Sequence, residues 1–106
     1  MKEIKAIIQP FKVIAVVDAL EELPGIGGIT ASDVRGFGHQ RGSSGIEQRA
    51  TGSLNYTNKT MLLIVVEDER VEDVLATIKL HAHTGNVGDG KIFVSTVDDA
   101  LRVRTG

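Results

Sequence analysis

The chain has no cysteine and no tryptophan, and it holds one tyrosine and three phenylalanines among its 106 residues. Without cysteine there is no disulfide framework, no thiolate zinc site and no thiol nucleophile. So few aromatic rings argue against a sheet that stacks nucleic-acid bases. A formal net charge of −2 lacks the basic surplus of a general nucleic-acid binder. No apolar run approaches the roughly 20 residues of a membrane span, and no secretory leader pattern opens the chain. The expectation is a single domain over residues 1–106, cytoplasmic, with no nucleic-acid partner and no membrane insertion. At this length one core suffices without metal or disulfide staples.

What is present is periodic. An isoleucine-rich strand is predicted over residues 2–9, and Pro10 suits a helix entrance. Over residues 12–23, Val13, Val16, Val17, Leu20 and Leu23 share one helical stripe. Pro24, Gly25, Gly27 and Gly28 end it. A moderately polar strand follows over 29–37, then a long stretch with no period and many glycines and serines, about 39–58. An unstructured segment of that length inside a small domain is usually functional or disordered. "TMLLIVV", residues 60–66, reads as a central strand. Asp68 and Glu69 open a second helix whose stripe is Val71, Val74, Leu75, Ile78 and Ala82. A last strand is predicted over 91–97, then a tail. The order βαββαβ is an α+β, ferredoxin-like arrangement with the long loop between strands 2 and 3. That fold hosts many functions and does not choose among them.

Three stretches bear on chemistry. In "TGNVGDGKIFV", residues 84–94, Gly85, Gly88 and Gly90 permit positive φ and let successive N–H groups turn toward an anion. Lys91 adds a positive charge, while Asp89 fits beside a phosphate only if it folds back onto loop amides or meets a base or ribose edge. The competing reading is a plain glycine-rich turn with an exposed lysine. Arg102 and Arg104 stand two apart in the tail, so an extended backbone would point both guanidiniums to one side. The competing reading there is a solvated edge. "RGFGHQRG", residues 35–42, is not a dinucleotide-binding glycine pattern, because Arg41 holds the third glycine's place. His81 and His83 read as surface residues near a helix end. No catalytic triad or carboxylate pair stands out, so no catalytic residue and no protein-bound metal is expected, and the protein is not expected to be an enzyme.

Together, "IKAIIQPFK", "VRGFGHQ", "TGNVGDGKIFV" and "RVRTG" resemble the PII signal-transduction family nearly end to end. The resemblance implies a homotrimer with an adenine nucleotide (ADP, AMP or ATP, with magnesium only beside ATP) in each cleft between subunits. It implies a B-loop over 84–91 in which Gly88, Asp89, Gly90 and Lys91 hold phosphates. Arg102 and Arg104 would reach the same phosphates, and Thr30, Gly36, Phe37, Gly38, His39 and Gln40 would line the nucleotide. His39 stands where family members often carry a phosphate-touching arginine, which tilts the expectation toward ADP or AMP. Gln40 and Lys59, with Arg41, mark an effector position at the base of the long T-loop, compatible with 2-oxoglutarate.

The T-loop itself departs from the family pattern. Gly52 replaces the tyrosine that is uridylylated, Ala50 replaces a phosphorylated serine, and Tyr56 aligns with neither. Ser43, Ser44 and Ser53 read as linker residues. These departures resemble divergent branches tied to inorganic carbon, carboxysome-associated or bicarbonate-transporter-linked. The expectation is therefore a small anionic effector, bicarbonate, with a transporter or carbon-fixation component as target. The alternative is a nitrogen regulator answering to 2-oxoglutarate and Mg-ATP.

Overall fold

Alternation of isoleucine and alanine with longer polar or apolar residues gives the first strand one buried face. In the computed structural model, which describes residues 1–37 and 56–106, β1 runs Lys2–Ile8. Ile4, Ala6 and Ile8 are fully buried on one face, and Lys5 and Ile7 lie on the other. Pro10 closes the strand one residue earlier than the pattern suggests. It begins a 3-10 turn, Pro10–Lys12, in which the Lys12 N–H donates to the Gln9 carbonyl at 3.0 Å. Helix α1, Val13–Glu21, follows and buries Val16 and Leu20, with Val13, Val17 and Leu23 packed at the edge.

Strand β2 spans Thr30–Phe37 and β3 spans Tyr56–Val66. A second 3-10 turn, Asp68–Arg70, leads into α2, Val71–Ala82, and β4 occupies Gly90–Thr96. All neighbouring strands are antiparallel, in the order β2-β3-β1-β4. This is the expected βαββαβ arrangement, with both helices on one face of a four-stranded sheet. Val74, Ile78 and Ala82 of α2 meet Leu62, Ile64 and Val66 of β3 in the same core. Each fully buried branched side chain there contributes about 1.5–3 kcal/mol.

Strand β3 starts four residues before the apolar run does. Tyr56, Thr57 and Asn58, placed in the long loop by composition, are strand residues paired with Phe37, Gly36 and Arg35. They form a two-stranded ribbon at the foot of the loop, where a polar sequence is tolerated because little of it is covered. Gly38, His39, Gln40 and Arg41, with the rest of the loop to residue 55, lie outside the described residues.

The sheet face without helices is apolar too. Ile7, Met61, Leu63 and Val65 are half-buried there, and Phe93 is 52% exposed beside Lys5. No described helix is long and apolar enough to cross a membrane.

Candidate functional site

Helix α2 gives way at His83 to extended backbone, and the chain then turns through residues 84–89 before entering β4. The turn is held from inside. The Asp89 carboxylate accepts the Thr84 N–H at 2.8 Å, the Gly85 N–H at 3.0 Å and the Thr84 hydroxyl. Nδ1 of His83 lies 3.4 Å from the same carboxylate. These donors, the Thr84 hydroxyl foremost, hold the Asp89 carboxyl below the usual carboxylate range. Asp89 thus folds back onto loop amides, and its charge is satisfied before any anion arrives.

A pH dependence follows from that depressed value. The Asp89 contribution is fully present above the ordinary 3.8 and is lost as pH falls through the lower folded value. Acid unfolding followed by circular dichroism should therefore show a limb below pH 3.8 that Asp89→Asn flattens. An unchanged acid limb in that variant would contradict the assignment.

The loop also rests on the strands beside it. Gly88 has φ +97° and Gly90 φ +107°, both in the region that favours glycine. A Cβ added at Gly90 would lie 1.7 Å from the Ile7 carbonyl oxygen, so only glycine lets the backbone pass β1 this closely. The Gly88 carbonyl accepts the Gln9 side-chain amide at 2.8 Å and the Lys59 ammonium as well. Lys59 is only 6% exposed. Burial pushes its pKa below the ordinary 10.5, with the nearby Asp89 charge opposing the shift. Lys91 follows the loop, exposed and in register with Ile7 on the helix-free face.

Gly36 joins this assembly through the ribbon. A Cβ there would sit 3.5 Å from Thr57 Oγ1 and 3.8 Å from Lys59 Cγ, so Gly36 borders the Lys59 stem. On the ribbon's other side the Phe37 ring tilts against Tyr56 at 5.7 Å, and the Arg35 guanidinium covers Tyr56 at 5.2 Å. One chain therefore brings Gly36, Lys59, Gly88, Asp89, Gly90 and Lys91 to one end of the sheet.

Other expected residues stay apart. Thr30 pairs with Leu63, four positions along β3 from Lys59. Arg102 and Arg104 are exposed, and among the described residues neither guanidinium has an ion-pair partner. Their expected alternation on an extended tail is not what forms. The Gly106 N–H donates to the Arg102 carbonyl at 2.8 Å and closes a turn through residues 103–105, with Gly106 at φ +82°. Leu101 and Val103 stand uncovered in the same tail.

Two participants escaped sequence reasoning. Gln9 is legible only as an amide side chain at the end of an apolar strand, next to Pro10. Thr84 shows only as the first residue of the glycine stretch whose aspartate it caps. His83, read as a surface histidine, is exposed but also faces Asp89. Among the described residues no group of three His, Cys, Asp or Glu side chains could hold a metal.

Comparison with known proteins is consistent along the whole chain. A family model described as nitrogen regulatory protein P-II matches residues 1–106. A nitrogen regulatory protein P-II of Azospirillum brasilense is 44% identical over 106 residues, covering all of this chain and 94% of that relative. Proteins of the same description from Bradyrhizobium diazoefficiens and Pasteurella multocida are each 43% identical, with the same coverage. These relatives carry the nitrogen description, and none of them supports the inorganic-carbon branch expected from the loop. The description these relatives share is that of a regulatory protein. With a full-length family match and relatives well above 30% identity, the chain belongs to the P-II family of signal-transduction proteins.

Proposed function

We propose that this protein is a non-enzymatic regulator that reads adenine nucleotides between three copies of itself and reports the result through its long loop. The carrying observation is the Gly88 carbonyl, where the glycine turn meets a buried lysine from the foot of that loop. A ligand that moves either partner must act on the other. The phosphates rest on the turn's amides at Gly88, Asp89 and Gly90, with Lys91 beside them. Arg102 and Arg104 come from a neighbouring copy. Two features favour that neighbour: the tail's bare Leu101 and Val103, and the apolar helix-free face around Met61 and Leu63. Thr30, Gly36, Phe37, Gly38, His39 and Gln40 complete the cleft.

The relatives' description favours nitrogen status over carbon status as the signal. The effector is then a dicarboxylate, 2-oxoglutarate, held at Gln40, Arg41 and Lys59 together with Mg-ATP. A carboxylate is a stronger partner for a buried ammonium than a peptide carbonyl is. With His39 in place of an arginine, ADP and AMP are favoured at rest, and the effector moves the balance toward ATP. The loop follows by population shift, toward the state that its ligands contact.

Calorimetric titration with AMP, ADP and ATP tests this, each alone, with 2-oxoglutarate and magnesium, and with bicarbonate. The expected result is ADP tighter than ATP alone, and ATP tightened by 2-oxoglutarate with no response to bicarbonate. Tightening by bicarbonate instead would return the reading to inorganic carbon. Indifference to all three nucleotides would overturn it altogether.

A further inference from the structure

The geometry points to Gln9 as a positioning residue for the nucleotide loop: its side-chain amide fixes the orientation of the Gly88–Asp89 peptide. This rests on the nucleotide reading above. The peptide is trans and planar, so its N–H points opposite to its carbonyl. With the carbonyl drawn onto Gln9 Nε2 at 2.8 Å and onto Lys59, the Asp89 N–H is turned away from both. A peptide that follows a glycine at φ +97° turns over at little cost unless something holds it. Two donors on one oxygen hold it.

The two donors are not equivalent. Lys59 is the group an anionic effector competes for, so its bond to Gly88 is conditional. Gln9 is neutral and has no charge to lose to an anion, which leaves its bond in place when the ammonium departs. Its root is fixed as well. Gln9 precedes Pro10, adopts φ −66° and ψ 135°, and its carbonyl accepts the Lys12 N–H at 3.0 Å. A half-buried side chain on so constrained a backbone points its amide reproducibly. The loop therefore keeps an anion-facing amide whether or not the effector is bound.

Gln9→Met keeps the side chain's length and removes the donor. ADP binding by the trimer, measured by calorimetry, should weaken up to about tenfold, because Lys59 alone then holds a peptide that two donors held. The thermal midpoint without ligand should fall by about 4–8 °C for the same bond, whereas a merely structural role would lower the midpoint and leave the folded protein's affinity unchanged. Gln9→Lys, which restores a donor, should recover the affinity. Wild-type ADP affinity in Gln9→Met overturns the inference and leaves the nucleotide reading standing, and so does failure of Gln9→Lys to rescue. If the wild-type protein binds no nucleotide, the reading fails and this inference falls with it.

Discussion

Gly90→Ala should cost the ligand-free protein about 3 kcal/mol or more, a fall in thermal midpoint on the order of 15 °C for a domain of this size. The added Cβ would meet the Ile7 carbonyl oxygen at 1.7 Å, the Ile7 carbonyl carbon at 2.9 Å and Ile8 Cα at 3.3 Å. All three are backbone atoms of the central strand, so no side chain can swing aside. The φ of +107° adds strain of about 1–3 kcal/mol of its own. Relief requires β4 to lift from β1 at the Ile8–Gly90 pair, which also displaces Lys91. Gly85→Ala is the matched control. Its φ is +86°, but its nearest neighbour is the His83 side chain at 3.9 Å. Only the backbone strain remains there, about 1–2 kcal/mol. Thermal denaturation of the two variants side by side checks the difference, and equal midpoints would contradict the close approach.

Combining Lys91→Ala with Arg102→Ala in one chain should weaken nucleotide binding by about a hundredfold or more, since each charged hydrogen bond contributes roughly 1.5–3 kcal/mol. The sharper result comes from mixing. Lys91 and Arg102 enter each cleft from different copies on the proposed reading. Trimers reassembled from equal amounts of the two single variants should then regain about a quarter of their clefts intact, as a cyclic head-to-tail arrangement dictates. Calorimetric stoichiometry reads that fraction directly. A mixture that binds no better than either parent would place both residues in one subunit's site or in none. The fold should survive both changes, because both side chains are exposed.

The architecture was legible wherever burial imposed a period. Ile4, Ala6 and Ile8 alternate, Val16 and Leu20 fall one helical turn apart, and each pattern became the element it implied. Boundaries failed where burial was not the cause. Residues 56–59 are polar, so nothing apolar announces their strand, which is set by pairing with β2. The turns at Pro10–Lys12 and Asp68–Arg70 continue each helix's sequence pattern, yet their backbone is wound more tightly.

The candidate site divides in the same way. Gly88, Gly90 and Lys91 are adjacent in sequence, so composition alone marked them. The contacts of Gly88 with Lys59 and Gln9 span 29 and 79 residues, and only cross-strand register brings such groups together. The spacing of Arg102 and Arg104 points both to one side only on an extended chain, whereas the bond from Gly106 curls this one.

The lone Tyr56, in a chain without tryptophan, is its single source of tyrosine emission. That ring lies against both Arg35 and Phe37 in the ribbon at the foot of the long loop. Parting the ring from either neighbour would alter the surroundings that its emission reports. The protein carries its own optical gauge, readable in real time without a label.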